Sequence, residues 1–193
     1  MIKRFFNCLL LSTLLFVLSF GETKIIAHRG FSSAAPENTL AAFREAIAVG
    51  ADYFELDVHQ SRDGRLIVIH DGTINRVASG GEQGKVADMT LRELRKIRAG
   101  YPGRFEDRFP RERIPTLRRA LRVAKGKIRV CVEIKVEGIE EATMKILRDL
   151  NMESEVIIFS FHYSVLEKFR ELDKDIPLLY LRSVVDSTVI AQA

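Results

Sequence analysis

Ile25-Ile26-Ala27-His28-Arg29-Gly30 is a short apolar run that halts at a histidine, and Leu66-Ile67-Val68-Ile69-His70-Asp71 repeats the pattern further along. Between the two lies Phe54-Glu55-Leu56-Asp57-Val58-His59, where apolar and ionisable residues alternate. Short apolar runs bounded by turn residues predict buried strands, and strict alternation predicts a strand with two unlike faces. A plain core would fill such positions with Val and Leu. Ionisable groups at the ends of three successive strands predict a site along one edge of a sheet.

Outward from these runs, strand and helix patterns alternate. A strand at Lys24–His28 is followed by a helix at Leu40–Val49, with Asn38-Thr39 as its cap and Gly50 as its stop. The strands Tyr53–Val58 and Arg65–Ile69 flank the turn Ser61-Arg62-Asp63-Gly64, which predicts a hairpin-like or closely adjacent pair. From Gly72 to Arg113 periodicity fades, apart from a capping box at Thr90-Leu91-Arg92-Glu93 that opens a short helix. Such an excursion from the strand ends suits a substrate-covering insertion. Alternation then resumes with a helix at Thr116–Ala124, a strand at Lys127–Lys135, a helix at Ile139–Leu150, a strand at Val156–Phe159, a helix at Tyr163–Leu172 and a strand at Pro177–Leu181. Strands alternating with helices predict a parallel sheet with right-handed crossovers. His28-Arg29-Gly30-Phe31 lacks the G-x-G-x-x-G spacing of an open dinucleotide-binding sheet. Polar residues at the ends of successive strands are the signature of a barrel, so a TIM-type (β/α)8 barrel is the predicted fold.

A chain of 193 residues with 47% hydrophobic content fits one globular domain. Residues 1–21 are set apart as a signal peptide: Lys3 and Arg4 precede an apolar run from Cys8 to Phe20, with small residues at Ser19 and Gly21. The rival is an uncleaved anchor, for which the run is short against the roughly 20 apolar residues a spanning helix needs. A secreted or periplasmic location follows from the leader. Its removal takes two positive charges and lowers the net charge from +4 to +2. No nucleic-acid partner is indicated, since Lys and Arg are spread over several helices and no nucleic-acid-binding module is legible. Cys131 alone remains after the leader, inside an apolar run, which predicts a buried, inert thiol.

Glu55 and Asp57 stand two apart on one strand, so both side chains share a face. Two carboxylates side by side repel unless a cation lies between them. A divalent metal ion, Mg²⁺ or Ca²⁺, suits ligands that are all oxygens; a salt-bridged strand end is the structural alternative. Val132-Glu133-Ile134-Lys135 repeats the alternation, so Glu133 either completes the metal shell or neutralises Lys135, which could otherwise hold an anion. His28 and His70 are suited to acid–base work, and Arg29 presents a planar fork for a phosphate. Together these residues predict metal-assisted phosphoryl chemistry. His59, on the face of Glu55 and Asp57, and His162, after a later strand, are weaker candidates.

The ordered set His28-Arg29-Gly30, Pro36-Glu37-Asn38-Thr39, Glu55-Leu56-Asp57-Val58, His70-Asp71 with Thr73 and Arg76, Gly84-Lys85-Val86, Ile114-Pro115-Thr116-Leu117 and Glu133-Ile134-Lys135 resembles the glycerophosphodiester phosphodiesterase family. That resemblance implies a TIM barrel with a small insertion after the third strand. It further implies a divalent ion, Ca²⁺ or Mg²⁺, on Glu55, Asp57 and Glu133. His28 and His70 would be the acid–base pair, Arg29 and Lys135 would hold the phosphate, and Glu37 and Asn38 would shape the floor. The implied reaction cuts a small-molecule glycerophosphodiester such as glycerophosphocholine to sn-glycerol 3-phosphate and an alcohol. Substrate or leader would bring the protein near a membrane. The alternatives are a related phosphodiesterase acting on lysophospholipid or sphingolipid headgroups and an inactive truncated homologue.

A (β/α)8 barrel takes about 250 residues, whereas 172 follow the leader and hold about six strands. Residues 22–193 are therefore expected to be a C-terminally incomplete catalytic domain, either a fragment of a longer chain or one closed by a second copy.

Overall fold

A computed structural model of the chain describes residues 23–184. The signal-peptide expectation over residues 1–21 lies outside these, as do residues 185–193. The described chain runs β1 (Ile26–Ala27), α1 (Leu40–Ala48), β2 (Tyr53–Gln60), β3 (Leu66–Val68), α2 (Leu91–Leu94), α3 (Pro102–Phe105), α4 (Leu117–Ala124), β4 (Arg129–Ile134), α5 (Glu140–Leu150), β5 (Val156–Ser160), α6 (Tyr163–Leu172) and β6 (Leu178–Tyr180). The six strands form one sheet in the order β1-β2-β4-β5-β6, with β3 joined to β2. Five of them run parallel. β3 runs antiparallel, because the turn at Ser61–Gly64 is far too short for the crossover that a parallel neighbour requires.

This reversal decides where the site falls. Val58 pairs with Val68 on one side and with Ile134 on the other. β1 and β3 thus share the edge of β2 opposite β4. They run toward each other, β1 in register as far as Phe54 and β3 as far as Val58. His28 and His70 each follow one of these strands, so the two arrive at the Glu55–Asp57 stretch from opposite ends.

The period-two alternation splits the sheet into two unlike faces. Phe54, Leu56 and Val58, with Val130, Val132, Ile134, Val156 and Ile158, are buried against the helices. Phe43 of α1 stacks on Phe54 with ring centroids 4.4 Å apart, a contribution of about 1 kcal/mol beyond the area buried. Glu55, Asp57, Cys131 and Glu133 occupy the other face, as on the inner wall of a barrel. Among the described residues the wall remains open between the β1/β3 edge and β6.

Residues 72–113 form the insertion between β3 and α4. Its predicted capping box is present: Thr90 Oγ1 accepts from the Glu93 amide, and the Glu93 carboxylate accepts from the Thr90 amide. A second apolar cluster, including Ile74, Val77, Leu94 and Ile97, packs on Ile67 and Ile69. These last two alternate with Leu66 and Val68 along the strand, so β3 joins two cores. No described helix is long and apolar enough to cross a membrane.

Candidate active site

The loop after β1 is shaped by backbone geometry that places its side chains. Gly30 has φ +76°, and a Cβ there would lie 2.7 Å from Ala42 of α1. Its amide donates to the carbonyls of Ala27 and Glu55, which ties the loop to β2. Arg29 and Asn38 both adopt positive φ, 58° and 56°, a conformation that non-glycine residues occupy only when their surroundings hold them there. Asn38 supplies part of that hold. Its Nδ2 donates to Asp57 Oδ2 at 2.8 Å, and its Oδ1 accepts from the Asp57 amide. Thr39 then caps α1.

Asp57 stands opposite Glu133 in the β2–β4 register. Carboxylate oxygens of Glu55, Asp57 and Glu133 all lie within 4.8 Å of one another. Glu55 Oε2 accepts from the Arg29 amide at 2.8 Å, but Glu55 Oε1 and Asp57 Oδ1 are buried and accept no hydrogen bond. Lys135 Nζ donates to Glu133 Oε1 at 2.6 Å and stands 3.4 Å from Asp57 Oδ1, an ion pair without hydrogen-bond geometry. Burial, and then the Asp57 charge, push the Glu55 carboxyl up to about 8. Two cations, Lys135 and Arg29 (Nε 3.7 Å from Asp57 Oδ2), face three carboxylates, so the wall is short of positive charge. The donors are all oxygen and fit a hard divalent cation.

Glu55 and Glu133 of the triad border a cavity of about 400 Å³, with Asp57 buried behind them. His28, Arg29, His70 and Lys135 line it beside Glu55 and Glu133, while Ile26, Phe159, Phe161 and Leu181 supply an apolar side. The His28 side chain stays largely exposed, with Nε2 3.8 Å from Glu55 Oε2. Its pKa lies below the ordinary value because of partial burial first and the Arg29 charge second. Lys135 keeps a raised pKa, since Glu133 and Asp57 outweigh the opposing effect of burial. The cavity thus joins two imidazoles, two cationic side chains and the carboxylate wall.

The two weaker histidines stand apart. His59 Nε2 lies 3.1 Å from the His70 carbonyl. A carbonyl only accepts, so that nitrogen carries a proton and braces the backbone of His70. His162 turns toward Glu137, at 3.9 Å. Two residues without a role assigned from sequence are close to the centre. His70 Nδ1 lies 2.7 Å from Asp71 Oδ1, and Arg76 bonds both Asp71 and Glu37. Arg76 comes from the insertion, and only its place in the ordered motif set marked it.

The model of the glycerophosphoryl diester phosphodiesterase family matches residues 28–190. A glycerophosphodiester phosphodiesterase of Caldanaerobacter subterraneus subsp. tengcongensis is 46% identical over 151 residues, 75% of this chain and 60% of the relative. Human glycerophosphodiester phosphodiesterase 1 is 35% identical over 156 residues, 78% of this chain and 46% of the relative. Among solved structures, an Oleispira antarctica phosphodiesterase in complex with the product sn-glycerol-3-phosphate superposes with a TM-score of 0.80 at 30% identity, covering 88% of this chain and 70% of that one. A glycerophosphodiester phosphodiesterase from Agrobacterium tumefaciens gives a TM-score of 0.74 at 36% identity over 81% of this chain and 66% of that one. The chain spans about 60% of the length of the Caldanaerobacter relative and of a second one from Bacillus subtilis. With wall, carboxylate triad and two-histidine edge all lying inside the matched stretch, the chain belongs to the glycerophosphoryl diester phosphodiesterase family.

Proposed function

We propose that this chain carries the catalytic centre of a metal-dependent hydrolase that cuts glycerophosphodiesters to sn-glycerol 3-phosphate and an alcohol. One observation carries this: His28 and His70 line the same cavity as Glu55 and Glu133, which converge with the buried Asp57, and two oxygens of that triad are buried without a hydrogen bond. Glu55, Asp57 and Glu133 would hold the divalent ion, Ca²⁺ or Mg²⁺. When bound, such an ion supplies Lewis-acid polarisation of a phosphoryl oxygen and lowers the pKa of a nearby hydroxyl. Arg29 and Lys135 would fix the phosphate, Arg29 through its planar fork. One imidazole takes the proton of the attacking hydroxyl while the other gives a proton to the leaving alcohol oxygen. If the glycerol 2-hydroxyl attacks, a cyclic phosphate forms, and water opens it with the two imidazoles exchanging roles. The apolar run behind Lys3 and Arg4 supports an exported location for this activity.

A second substrate class is favoured by one feature, the apolar side of the cavity. Ile26 and Phe161 are 44% and 51% exposed there. A glycerol moiety carrying an acyl chain, as in lysophosphatidylcholine, would cover them. The test is release of sn-glycerol 3-phosphate from glycerophosphocholine, run beside choline release from lysophosphatidylcholine, for wild type, His28→Ala and His70→Ala. Release from glycerophosphocholine, falling by about a thousandfold in each variant, is expected if the pair acts as acid and base. Wild-type rates in both variants overturn the acid–base assignment, and turnover of the lysophospholipid alone overturns the substrate.

A further inference from the structure

We propose that Arg76, with Glu37 and Asp71, is a positioning device that sets the tautomer of His70 and the pose of Arg29 together. This rests on the hydrolase reading above for its catalytic consequence, though not for its geometry.

Asp71 Oδ1 lies 2.7 Å from His70 Nδ1. An ionised carboxylate only accepts, so Nδ1 holds the proton and Nε2 is left as the ring's basic atom. Asp71 is kept ionised by its other partner: Arg76 Nε donates to Oδ2 at 2.8 Å and Arg76 Nη2 to Oδ1 at 3.0 Å. The Arg76 bonds, with His70 adding to them against the effect of burial, hold the Asp71 carboxyl well below the usual range. The guanidinium's far edge grips Glu37, with Nη1 2.7 Å from Oε2 and Nη2 2.9 Å from Oε1. Glu37 Oε1 accepts in turn from Arg29 Nη1 at 3.1 Å. Burial would raise the Glu37 pKa, yet Arg76 and then Arg29 bring it below the ordinary value. A continuous line of hydrogen bonds therefore runs from the His70 imidazole to the Arg29 guanidinium.

Three separate segments contribute to this line: the loop after β1, the end of β3 and the insertion. Ile74 and Val77, buried in the insertion's own core, flank Arg76, and the Tyr101 ring centroid stands 5.2 Å from its guanidinium carbon. The insertion core thus fixes Arg76, and Arg76 fixes both His70 and Arg29. Two arginines and two carboxylates balance in charge, which leaves this cluster without the deficit of the Glu55–Asp57–Glu133 wall. A lysine at position 76 would keep the charge but could not span both carboxylates with a planar fork.

The test pairs nitrogen-15 NMR of the histidine rings with kinetics on glycerophosphocholine, in wild type, Arg76→Lys, Arg76→Ala, Asp71→Asn and Glu37→Gln. Four histidines in the chain keep the spectrum simple. At about pH 8, where an ordinary imidazole is neutral, wild-type His70 is expected wholly as the Nδ1–H tautomer. Arg76→Lys is expected to melt near wild type, show mixed His70 tautomers and lose about 10- to 100-fold in kcat, the usual effect of removing an outer-shell partner. Asp71→Asn should behave likewise, and Glu37→Gln should also raise KM by freeing Arg29. A single Nδ1–H tautomer with unchanged kcat in Arg76→Lys and Asp71→Asn overturns the proposal. So does a fall in melting temperature without a tautomer change, which marks a purely structural ion pair. Should Arg76→Ala fail to fold, Arg76→Lys and Asp71→Asn decide. A wild type that does not turn over glycerophosphocholine refutes the hydrolase reading alone, because the tautomer measurement still decides this one.

Discussion

Replacing Glu55 by Gln should make the metal-free protein more stable. Glu55 is 4% exposed, and burial together with Asp57 moves its carboxyl from an ordinary 4.5 up to about 8. A carboxyl whose folded pKa is raised destabilises the fold progressively as pH climbs from the unfolded value to the folded one. At about pH 7 roughly 2.5 pH units of that climb are complete, and at about 1.4 kcal/mol for each, the penalty is about 3 kcal/mol. Gln removes the charge while its amide oxygen can still accept from the Arg29 amide. In chelator, Glu55→Gln is therefore expected to melt about 6–12 °C above wild type, given about 2–4 °C per kcal/mol for a chain of this size. Excess Ca²⁺ or Mg²⁺ should narrow or reverse the order. An ion at a hundred times its Kd adds about 2.7 kcal/mol to wild type, and the variant has lost a ligand. Differential scanning calorimetry in chelator and in millimolar metal reads both halves. A variant that melts below wild type in chelator would refute the reasoning, since the wall would then carry no unbalanced charge.

Other consequences follow from the same geometry. Because Glu55 must ionise to take a cation, divalent affinity should weaken as pH falls below about 8 and loading near neutrality should release a proton; calorimetry in buffers of different ionisation enthalpy checks this, and pH-independent binding contradicts it. Gly30→Ala combines a positive φ with a Cβ 2.7 Å from Ala42, so a loss of about 2–5 kcal/mol is expected from strain and overpacking, read as a lower denaturant midpoint. Cys131 is fully buried, and burial followed by the Glu55 charge pushes its thiol up to about 12. It should resist thiol reagents until the protein unfolds, and rapid labelling of the native state counts against the packing of the inner wall.

Local pattern recovered the elements that repeat with a regular period. β2, α1, α4, β4 and α5 each begin and end within two residues of the sequence expectation, because their apolar residues recur every second or every third to fourth position. The Glu55–Asp57 face was legible for the same reason, since a two-residue spacing fixes which side chains share a wall. The turn Ser61–Gly64 marked a hairpin-like or closely adjacent β2–β3 pair, and β3 is antiparallel to β2. What escaped is non-local. The insertion core uses Ile74, Val77, Leu94 and Ile97 at no helical or strand period. Arg76 gave only a motif position, because its partners, Glu37 and Asp71, come from different segments. His59 and His162 were weaker candidates by position alone, and in the structure one braces a backbone carbonyl while the other faces Glu137.

The most direct measurement is the rate of sn-glycerol 3-phosphate release from glycerophosphocholine by chelator-treated protein as Ca²⁺ or Mg²⁺ is added back. A carboxylate wall that needs a cation beside two histidines gives no release in chelator and a saturable return with metal, absent in Asp57→Asn. Full-rate release in chelator, or an undiminished return in Asp57→Asn, would contradict it.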